Sequence, residues 1–205
     1  MLVHPWDTAQ SDEEWREWLR PRDFGTLVAA GRERSVPVVV PTHFVYDGDA
    51  TVLLHLARPN PVWRAVAENP HVVLSVTDDV AYIPSAWKEV GSDEPGQGIP
   101  TSYYAAVVLT CTAEVLTGDA LLDVLRTQLD HFEPGSAVAD PSVHARKLPG
   151  IRGLRLSVDA VAAKFKYGGN ADDEHRAKVA EELVRRARPG DAAAVEHLRR
   201  RTPLG

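Results

Sequence analysis

The sequence is poor in cysteine and has no long hydrophobic run. Its one cysteine, Cys111, has no second cysteine for an internal disulfide or a cysteine-rich zinc site. No segment approaches the roughly 18 consecutive apolar residues of a membrane-spanning helix. Residues 1–10 also lack the basic stretch followed by an apolar one that is typical of a secretory signal. We therefore expect a cytoplasmic protein with no membrane partner.

Several common functional motifs are missing as well. The chain has no G-x-x-x-x-G-K-S/T phosphate loop and no G-x-G-x-x-G dinucleotide fingerprint. It also has no H-E-x-x-H metal motif and no G-x-S-x-G nucleophile elbow. Side chains alone therefore predict no catalytic group and no metal site. A bound organic cofactor would supply the chemistry that these side chains lack.

Excess positive charge is absent too. The formal net charge of −6 argues against a surface that binds a nucleic-acid backbone. One candidate basic surface remains near the end of the sequence, formed by Arg185, Arg186, Arg188, Arg199, Arg200 and Arg201. A solvated helix face explains these arginines equally well, so we expect no nucleic-acid partner.

What the sequence does contain is a series of short β-rich runs with few helices between them. Turn signals such as Asp47-Gly48-Asp49 separate the runs and are typical of antiparallel hairpins. The pattern predicts strands over residues 26–30, 36–40, 51–56, 72–76, 103–116 and 153–165. It predicts helices after Ser11, from Asn60-Pro61, from Asp119 to His131, and from Asp172 or Asp173 to before Pro189. This pattern indicates a mainly β domain with peripheral helices.

The segment His55-Leu56-Ala57-Arg58-Pro59-Asn60-Pro61 combines groups that bind anions. Arg58 offers a two-pronged guanidinium, His55 offers another donor, and the helix predicted after Asn60 offers backbone N–H groups. The alternative is a solvated arginine at a strand end and an asparagine that only caps the helix.

Three further segments carry polar or aromatic groups near strand ends. Pro41-Thr42-His43-Phe44 could line the edge of a flat ligand, although a histidine in such a position is often a core residue. Two segments, Ala81–Trp87 and Pro100–Ala105, flank a loop rich in Gly and Asp. Their aromatic rings could stack on a planar ring, or Trp87, Tyr103 and Tyr104 could pack a barrel end or a dimer contact. Lys164 and Lys166 fall on one face of the last strand, where they favour an anion or protect an exposed edge.

Taken in this order, the four segments resemble the PaiB-type branch of the FMN-binding split-barrel proteins, which are relatives of pyridoxamine 5′-phosphate oxidase. The resemblance covers residues 25–170. It implies a six-stranded antiparallel split β-barrel and a homodimer that holds FMN at its interface. The cofactor-binding residues that it implies are Val40, Pro41, Thr42, His43, His55, Ala57, Arg58, Asn60, Trp87, Thr101, Tyr104, Lys164 and Lys166.

The resemblance also sets the functional expectation. We expect residues 1–170 to form the FMN-binding domain with its N-terminal helix, and residues 171–205 to form a C-terminal helix with a basic tail. The leading hypothesis is an FMN-dependent oxidoreductase that acts on a small molecule. The alternative is a flavin-bound transcriptional regulator without catalysis of its own. A third possibility is a different ligand, haem or a deazaflavin, with His43 or His175 as a haem ligand.

Overall fold

The computed structural model of the protein describes residues 1–88 and 98–201. Most of the predicted Gly- and Asp-rich loop, residues 89–97, lies outside the described residues. The strands are Phe24–Ala29 (β1), Val38–His43 (β2), Val45–Tyr46 (β3), Thr51–Ala57 (β4), His71–Ile83 (β5), Thr101–Leu116 (β6) and Ile151–Lys166 (β7). The α-helices are Asp12–Leu19 (α1), Val62–Glu68 (α2), Gly118–Phe132 (α3), Asp173–Arg186 (α4) and Asp191–Arg200 (α5).

The strands form one sheet in the order β2-β1-β5-β6-β7-β4-β3. The pairings of β1 with β2 and β5, and of β4 with β3 and β7, are all antiparallel. The expectation of a mainly β fold with antiparallel strands and peripheral helices is thus confirmed. In the pairing of β4 with β7, His55 lies opposite Gly153 and Leu56 lies opposite Arg152. This register places two of the polar segments discussed below side by side.

The expected count of six strands is wrong, because residues 1–88 and 98–201 form a sheet of seven strands that is not closed. The physical reason lies at Phe44, which is fully buried and divides residues 38–46 into β2 and β3. The N–H of Phe44 donates to the carbonyl oxygen of Asp23 at 2.8 Å, in the same register as the pairing of β1 with β2. Beyond Phe44 the chain pairs with β4 instead, so β2 and β3 take positions at opposite ends of the strand order.

The described residues group into two compact units along the chain. The first unit comprises Met1–Asp12, Thr77–Val107 and Ala162–Gly205, as far as these are described. The second unit comprises Glu13–Val76 and Val108–Val161. Strands β5, β6 and β7 each contain residues of both units. The predicted boundary after residue 170 remains a prediction.

The core of the second unit follows from alternation in its strands and from apolar stripes on its helices. Leu27, Leu54 and Leu154 are fully buried on strands whose intervening residues are more exposed. Helix α1 buries Trp18 and Leu19. Each fully buried leucine contributes about 2 to 3 kcal/mol relative to an exposed one. This core anchors β4 and α3, which supply the cavity walls described below.

The core of the first unit is aromatic. Tyr103 and Tyr167 are fully buried with ring centroids 5.8 Å apart, and Tyr167 stacks on His197 of α5 at 4.5 Å. The sequence does not predict helix α5, because Pro189-Gly190 is a typical helix end and the residues after it are rich in arginine. The helix forms because Ala194, Val195 and Leu198 recur at helical spacing and are buried. Among the described helices, none is long and apolar enough to cross a membrane.

Candidate functional site

The thirteen residues predicted to bind the cofactor fall into two groups that belong to different units. Val40, Pro41, Thr42, His43, His55, Ala57, Arg58 and Asn60 lie in the second unit. Trp87, Thr101, Tyr104, Lys164 and Lys166 lie in the first unit. Each group is described by itself. Their role in binding stays a prediction.

The second unit contains an apolar cavity of about 470 Å³ that two of the predicted residues line. We call it the apolar cavity. The apolar part of its wall consists largely of Leu125, Leu129 and Phe132 of α3, together with Leu148 and Ile151. The polar side chains in its wall are His43, His55, Gln128, Glu133, His144 and Lys147. A cavity of this size and composition is typical of small-molecule sites.

His55 is held in this wall by a residue that the sequence analysis did not identify. The Nδ1 atom of His55 lies 2.5 Å from the side-chain oxygen Oε1 of Gln128, so the ring N–H donates to the amide. Gln128 is 6 % exposed, and His55 is half-buried. The amphipathic pattern of α3 predicted its leucine face, but it did not reveal that a glutamine on this helix would meet β4.

His43 lies in the same wall and is not a core residue, because its side chain is 62 % exposed. Its ring packs edge-on against Phe24 at 4.9 Å and against Phe132 at 5.1 Å, measured between ring centroids. Its Nδ1 atom lies 3.3 Å from the carbonyl oxygen of Asp23, close enough to donate a hydrogen bond. The histidine is therefore part of an exposed aromatic patch at the cavity.

A second cavity of about 520 Å³ in this unit contains two arginines, and we call it the arginine cavity. Arg58 donates from Nη1 to the carbonyl oxygen of Pro149 at 3.4 Å, and its guanidinium is exposed. Arg152 extends along the cavity with its guanidinium 5.8 Å from the ring centroid of Trp63. In the described part of the chain neither arginine has an ion-pair partner, although Asp119 lines the same cavity.

The two cavities adjoin. Leu148 and Ile151 contribute to the walls of both. The arginine cavity also contains Thr117, the residue before α3, whose side chain makes no capping hydrogen bond. Two guanidinium groups beside a helix N-terminus create a positive potential that favours an anion. Together the cavities suit a ligand with an apolar flat part and a negatively charged part.

The remaining predicted residues of the second unit do not line these cavities. Asn60 serves α2 instead, since its Oδ1 accepts the N–H of Val62 at 3.0 Å. The helix begins at Val62, one residue later than the predicted start at Pro61. The indole N–H of Trp63 donates to the carbonyl oxygen of Ala57 at 2.8 Å, which fixes the strand end before Arg58. Thr42 is buried, and its hydroxyl donates to the carbonyl oxygen of His43; Val40 and Pro41 lie with it on β2.

In the first unit, Lys164 already has partners within the chain. It is 7 % exposed, donates to the carbonyl oxygen of Leu2 at 3.0 Å and lies 3.7 Å from the Asp7 carboxylate. Its ammonium is also 5.7 Å from the centroid of the Tyr104 ring. Burial raises the pKa of Asp7, and the charge of Lys164 opposes this shift. Strand β4 pairs with β7 only over Ile151–Ser157, and an isolated bridge joins Thr8 to Lys164, so the edge-strand alternative for the lysines stays a prediction.

Lys166 is half-buried and donates to the hydroxyl of Thr101 at 2.8 Å, which brings two predicted residues together. Burial lowers the pKa of Lys88, and the positive charge of Lys166 lowers it further. Burial, followed by the charge of Lys88, lowers the pKa of His175. The Nε2 atom of His175 is buried and has no hydrogen-bond partner among the described residues. Lys88 was missed by the sequence analysis because no motif marks it.

Trp87 lies in a short 3₁₀ helix, Ser85–Lys88, under the guanidinium of Arg186 at 4.7 Å. This contact explains the half-buried indole without any ligand. Across residues 1–88 and 98–201, no group of three or more His, Cys, Asp or Glu side chains is placed to hold a metal ion.

Comparison with known proteins places the chain in a family of FMN-binding domains. The family model described as "Putative FMN-binding domain" matches residues 1–160. The protein "Protease synthase and sporulation protein PAI 2" of Bacillus subtilis (strain 168) is 25 % identical over 196 residues, which cover 92 % of this chain and 92 % of that protein.

Solved structures share the fold. An FAD and haem binding protein from Mycobacterium smegmatis superposes with a TM-score of 0.58 at 23 % identity, covering 82 % of this chain and 78 % of that one. A conserved hypothetical protein from Mycobacterium tuberculosis gives a TM-score of 0.56 at 14 % identity, with coverages of 80 % and 90 %. A flavocytochrome from Azotobacter vinelandii gives 0.56 at 21 % identity, with coverages of 81 % and 73 %.

Proposed function

Because this chain belongs to the family of FMN-binding domains, we propose that it holds FMN in the apolar and arginine cavities of its second unit and acts as a flavin-dependent oxidoreductase on a small molecule. The observation that carries this proposal is the adjoining pair of cavities, one apolar and one with two arginines that lack ion-pair partners among the described residues. FMN has the same two parts, a flat tricyclic ring and a phosphate.

The apolar cavity fits the ring. Its volume of about 470 Å³ falls within the range of about 300 to 1,000 Å³ that is usual for small-ligand sites. Leu125, Leu129 and Phe132 would cover the ring and exclude water from it. His55 would meet its polar edge, since this histidine is oriented by Gln128.

The arginine cavity fits the phosphate. A dianionic phosphate accepts paired hydrogen bonds from a guanidinium, and each charge-assisted bond contributes about 1.5 to 3 kcal/mol. Arg58 and Arg152 are the residues that would hold it, and Thr117 adds a hydroxyl. The carboxylate of Asp119 lies in the same wall and repels an anion. The positive charges of the two arginines outnumber this one negative charge, so the cavity still favours a phosphate.

FMN, when bound, supplies hydride or electron transfer to a small planar or quinone-like substrate. The protein's own contribution is to bind, to orient and to exclude water. We propose that His43 contributes to the open side of the site, because its ring is exposed beside Phe24 and Phe132. This side is open in a single chain, and the same exposed aromatic rings support a homodimer in which a second copy completes this side of the site. The single unpaired Cys111 is buried, in keeping with the proposed cytoplasmic location.

The regulator hypothesis is the second candidate, and the similarity to the Bacillus subtilis sporulation protein favours it. The arginines near the end of the chain give it little support as a DNA-binding surface. Arg185 pairs with Glu182, Arg186 with Asp191, and Arg200 with Glu196. Arg201 is 4 % exposed and donates to the carbonyl oxygen of Thr8. A regulatory role would therefore act through a protein or a ligand rather than through these arginines of α4 and α5.

The test is an absorption spectrum of the purified protein, followed by titration with FMN and with riboflavin. We expect flavin bands and tighter binding of FMN than of riboflavin, because riboflavin lacks the phosphate. Equal affinities would remove the assigned role of the two arginines. Absence of any flavin binding, or an intense haem band in its place, would overturn the proposal.

A further inference from the structure

We infer that Gln128 is a positioning residue, which fixes His55 as a hydrogen-bond acceptor for a ring N–H and so selects ligands that carry a planar imide. This inference rests on the proposed function, since the imide in question is the pyrimidine end of the flavin ring. It assigns a role to a glutamine that no motif marked.

The hydrogen bond between the two side chains determines which ring nitrogen of His55 carries the proton. The amide oxygen of Gln128 can only accept, so Nδ1 of His55 donates across the 2.5 Å separation. A neutral imidazole has one N–H, and therefore Nε2 carries a lone pair. His55 has no other hydrogen-bond partner in the described part of the chain, which leaves Nε2 for a ligand.

The backbone around this pair explains why the glutamine reaches the histidine. Gly153 lies opposite His55 in the pairing of β4 with β7. A Cβ atom at Gly153 would stand 3.3 Å from Leu116 Cβ and 3.4 Å from Val124 Cγ2, which is tighter than an ordinary contact. The missing side chain therefore lets α3, which carries Val124 and Gln128, approach the strands closely.

The surroundings make the lone pair selective. Apolar side chains dominate the wall of the apolar cavity, and an acceptor without a partner in such a wall costs about 1 to 3 kcal/mol. A ligand with an N–H at its edge satisfies Nε2, whereas one with a methyl group there does not. The carbonyl groups that flank an imide N–H require donors, and Lys147 and His144 lie in the same wall. Among the described residues of this wall, Glu133 carries the one carboxylate, and it competes for these donors.

The experiment compares FMN with 3-methyl-FMN, in which a methyl group replaces the imide hydrogen. Affinities come from the quenching of flavin fluorescence for the wild type, Gln128→Leu and Gln128→Glu. In the wild type we expect 3-methyl-FMN to bind about tenfold more weakly than FMN or worse. Gln128→Leu should reduce the ratio to about twofold, because the ring of His55 then turns freely. Gln128→Glu places a carboxylate beside Nδ1, which favours a doubly protonated ring with an N–H at Nε2, so this variant should not restore the discrimination.

The outcomes separate this inference from the proposed function. If the wild type binds FMN and 3-methyl-FMN equally well, the inference is wrong while the FMN site stands. If neither flavin binds, both are wrong. Nitrogen NMR of the histidine rings in the ligand-free protein gives an independent reading. It should find His55 protonated at Nδ1 in the wild type and a mixture of tautomers in Gln128→Leu, and a ring protonated at Nε2 in the wild type would overturn the inference.

Discussion

The guanidinium of Arg186 binds both carboxylate oxygens of Asp191, with N–O distances of 2.8 Å for Nε–Oδ2 and 2.5 Å for Nη2–Oδ1. Asp191 is 2 % exposed and also accepts the backbone N–H of Arg188 at 2.9 Å. The pair closes the turn between α4 and α5. The same guanidinium donates to the carbonyl oxygen of Tyr82 and covers the ring of Trp87. One arginine thereby ties the turn to β5 within the first unit.

Replacing Asp191 by asparagine should destabilise the protein by about 3 kcal/mol, because the buried charge of Arg186 loses its partner. Urea unfolding measures the loss. The matched control is Glu196→Gln on the same helix, since Glu196 pairs with Arg200 while its side chain is 64 % exposed. That change should alter stability little. Equal losses of unfolding free energy in the two variants would contradict the claim that the buried ion pair stabilises the protein more than the exposed one.

The contribution of Asp191 should also depend on pH. The hydrogen bonds from Arg186 hold the pKa of Asp191 below its ordinary value. Its stabilising effect is therefore complete above the ordinary carboxyl pKa of about 4 and is lost as the pH falls through the lowered value in the folded state. The difference in unfolding free energy between wild type and Asp191→Asn should stay constant from pH 7 to about 5 and shrink at lower pH. A gap that widens on acidification would contradict this.

Gly190 is required at its position in the same turn. Its φ of +86° lies in the left-handed region, and a Cβ atom would stand 2.3 Å from the carbonyl oxygen of Val80. Gly190→Ala should therefore lower the melting temperature strongly. Gly135, with φ of +72° and nothing within 4 Å, isolates the conformational cost alone. Gly135→Ala should reduce the free energy of unfolding by about 1 kcal/mol. Equal melting temperatures for the two alanine variants would contradict the steric clash predicted at Gly190.

Loss of either arginine from the arginine cavity should weaken FMN but not riboflavin. Arg58→Ala and Arg152→Ala each remove a charge-assisted contact, so FMN affinity should fall about 10- to 100-fold while riboflavin changes little. Isothermal titration with both flavins measures this. Arg155→Ala is the matched control, because Arg155 lies on β7 like Arg152, pairs with Glu114 and lines neither cavity. A comparable loss of FMN affinity in Arg155→Ala would mean that the overall positive charge of the protein, and not the two cavity arginines, determines FMN binding.

The exposed aromatic patch should control assembly. Phe24 is 53 % exposed and packs on His43, so Phe24→Glu places a charge in the proposed contact between two copies. We expect light scattering to report a dimer for the wild type and a monomer for this variant. Val36→Glu, at a residue 70 % exposed, should remain dimeric. A wild type that is monomeric at tens of micromolar would refute the proposed dimer.

Local patterns were sufficient to predict most of the elements. The helix after Ser11, the strand that became β4 and the amphipathic α3 all lie within a few residues of their predicted bounds. Each rests on spacing within a single segment, which sequence reveals directly. Strand β5 extends seven residues beyond its predicted end at residue 76, because the polar Thr77, Asp78 and Asp79 interrupt the apolar run that the prediction follows.

The relations between distant segments were less accessible. Alternation correctly separated Lys164 from Phe165, but it gave no sign that Asp7 and Leu2 would be the partners of Lys164. Arg152 reaches the arginine cavity only through the register that sets it opposite Leu56. Gln128 meets His55 across 73 residues of chain. The predicted six-stranded count failed at Phe44, whose burial depends on tertiary packing rather than on turn residues.

Leu148 and Ile151 stand between the two cavities as a common partition. A partition that touches two compartments cannot change in size without altering both. Smaller residues at these positions would merge the cavities into one channel, and larger ones would crowd the ring and the phosphate at the same time. The affinities for FMN and for riboflavin would then rise or fall in parallel, whereas loss of an arginine should weaken only FMN. To make the site accept a longer or bulkier cofactor, Leu148 and Ile151 are therefore the first residues to replace by smaller ones.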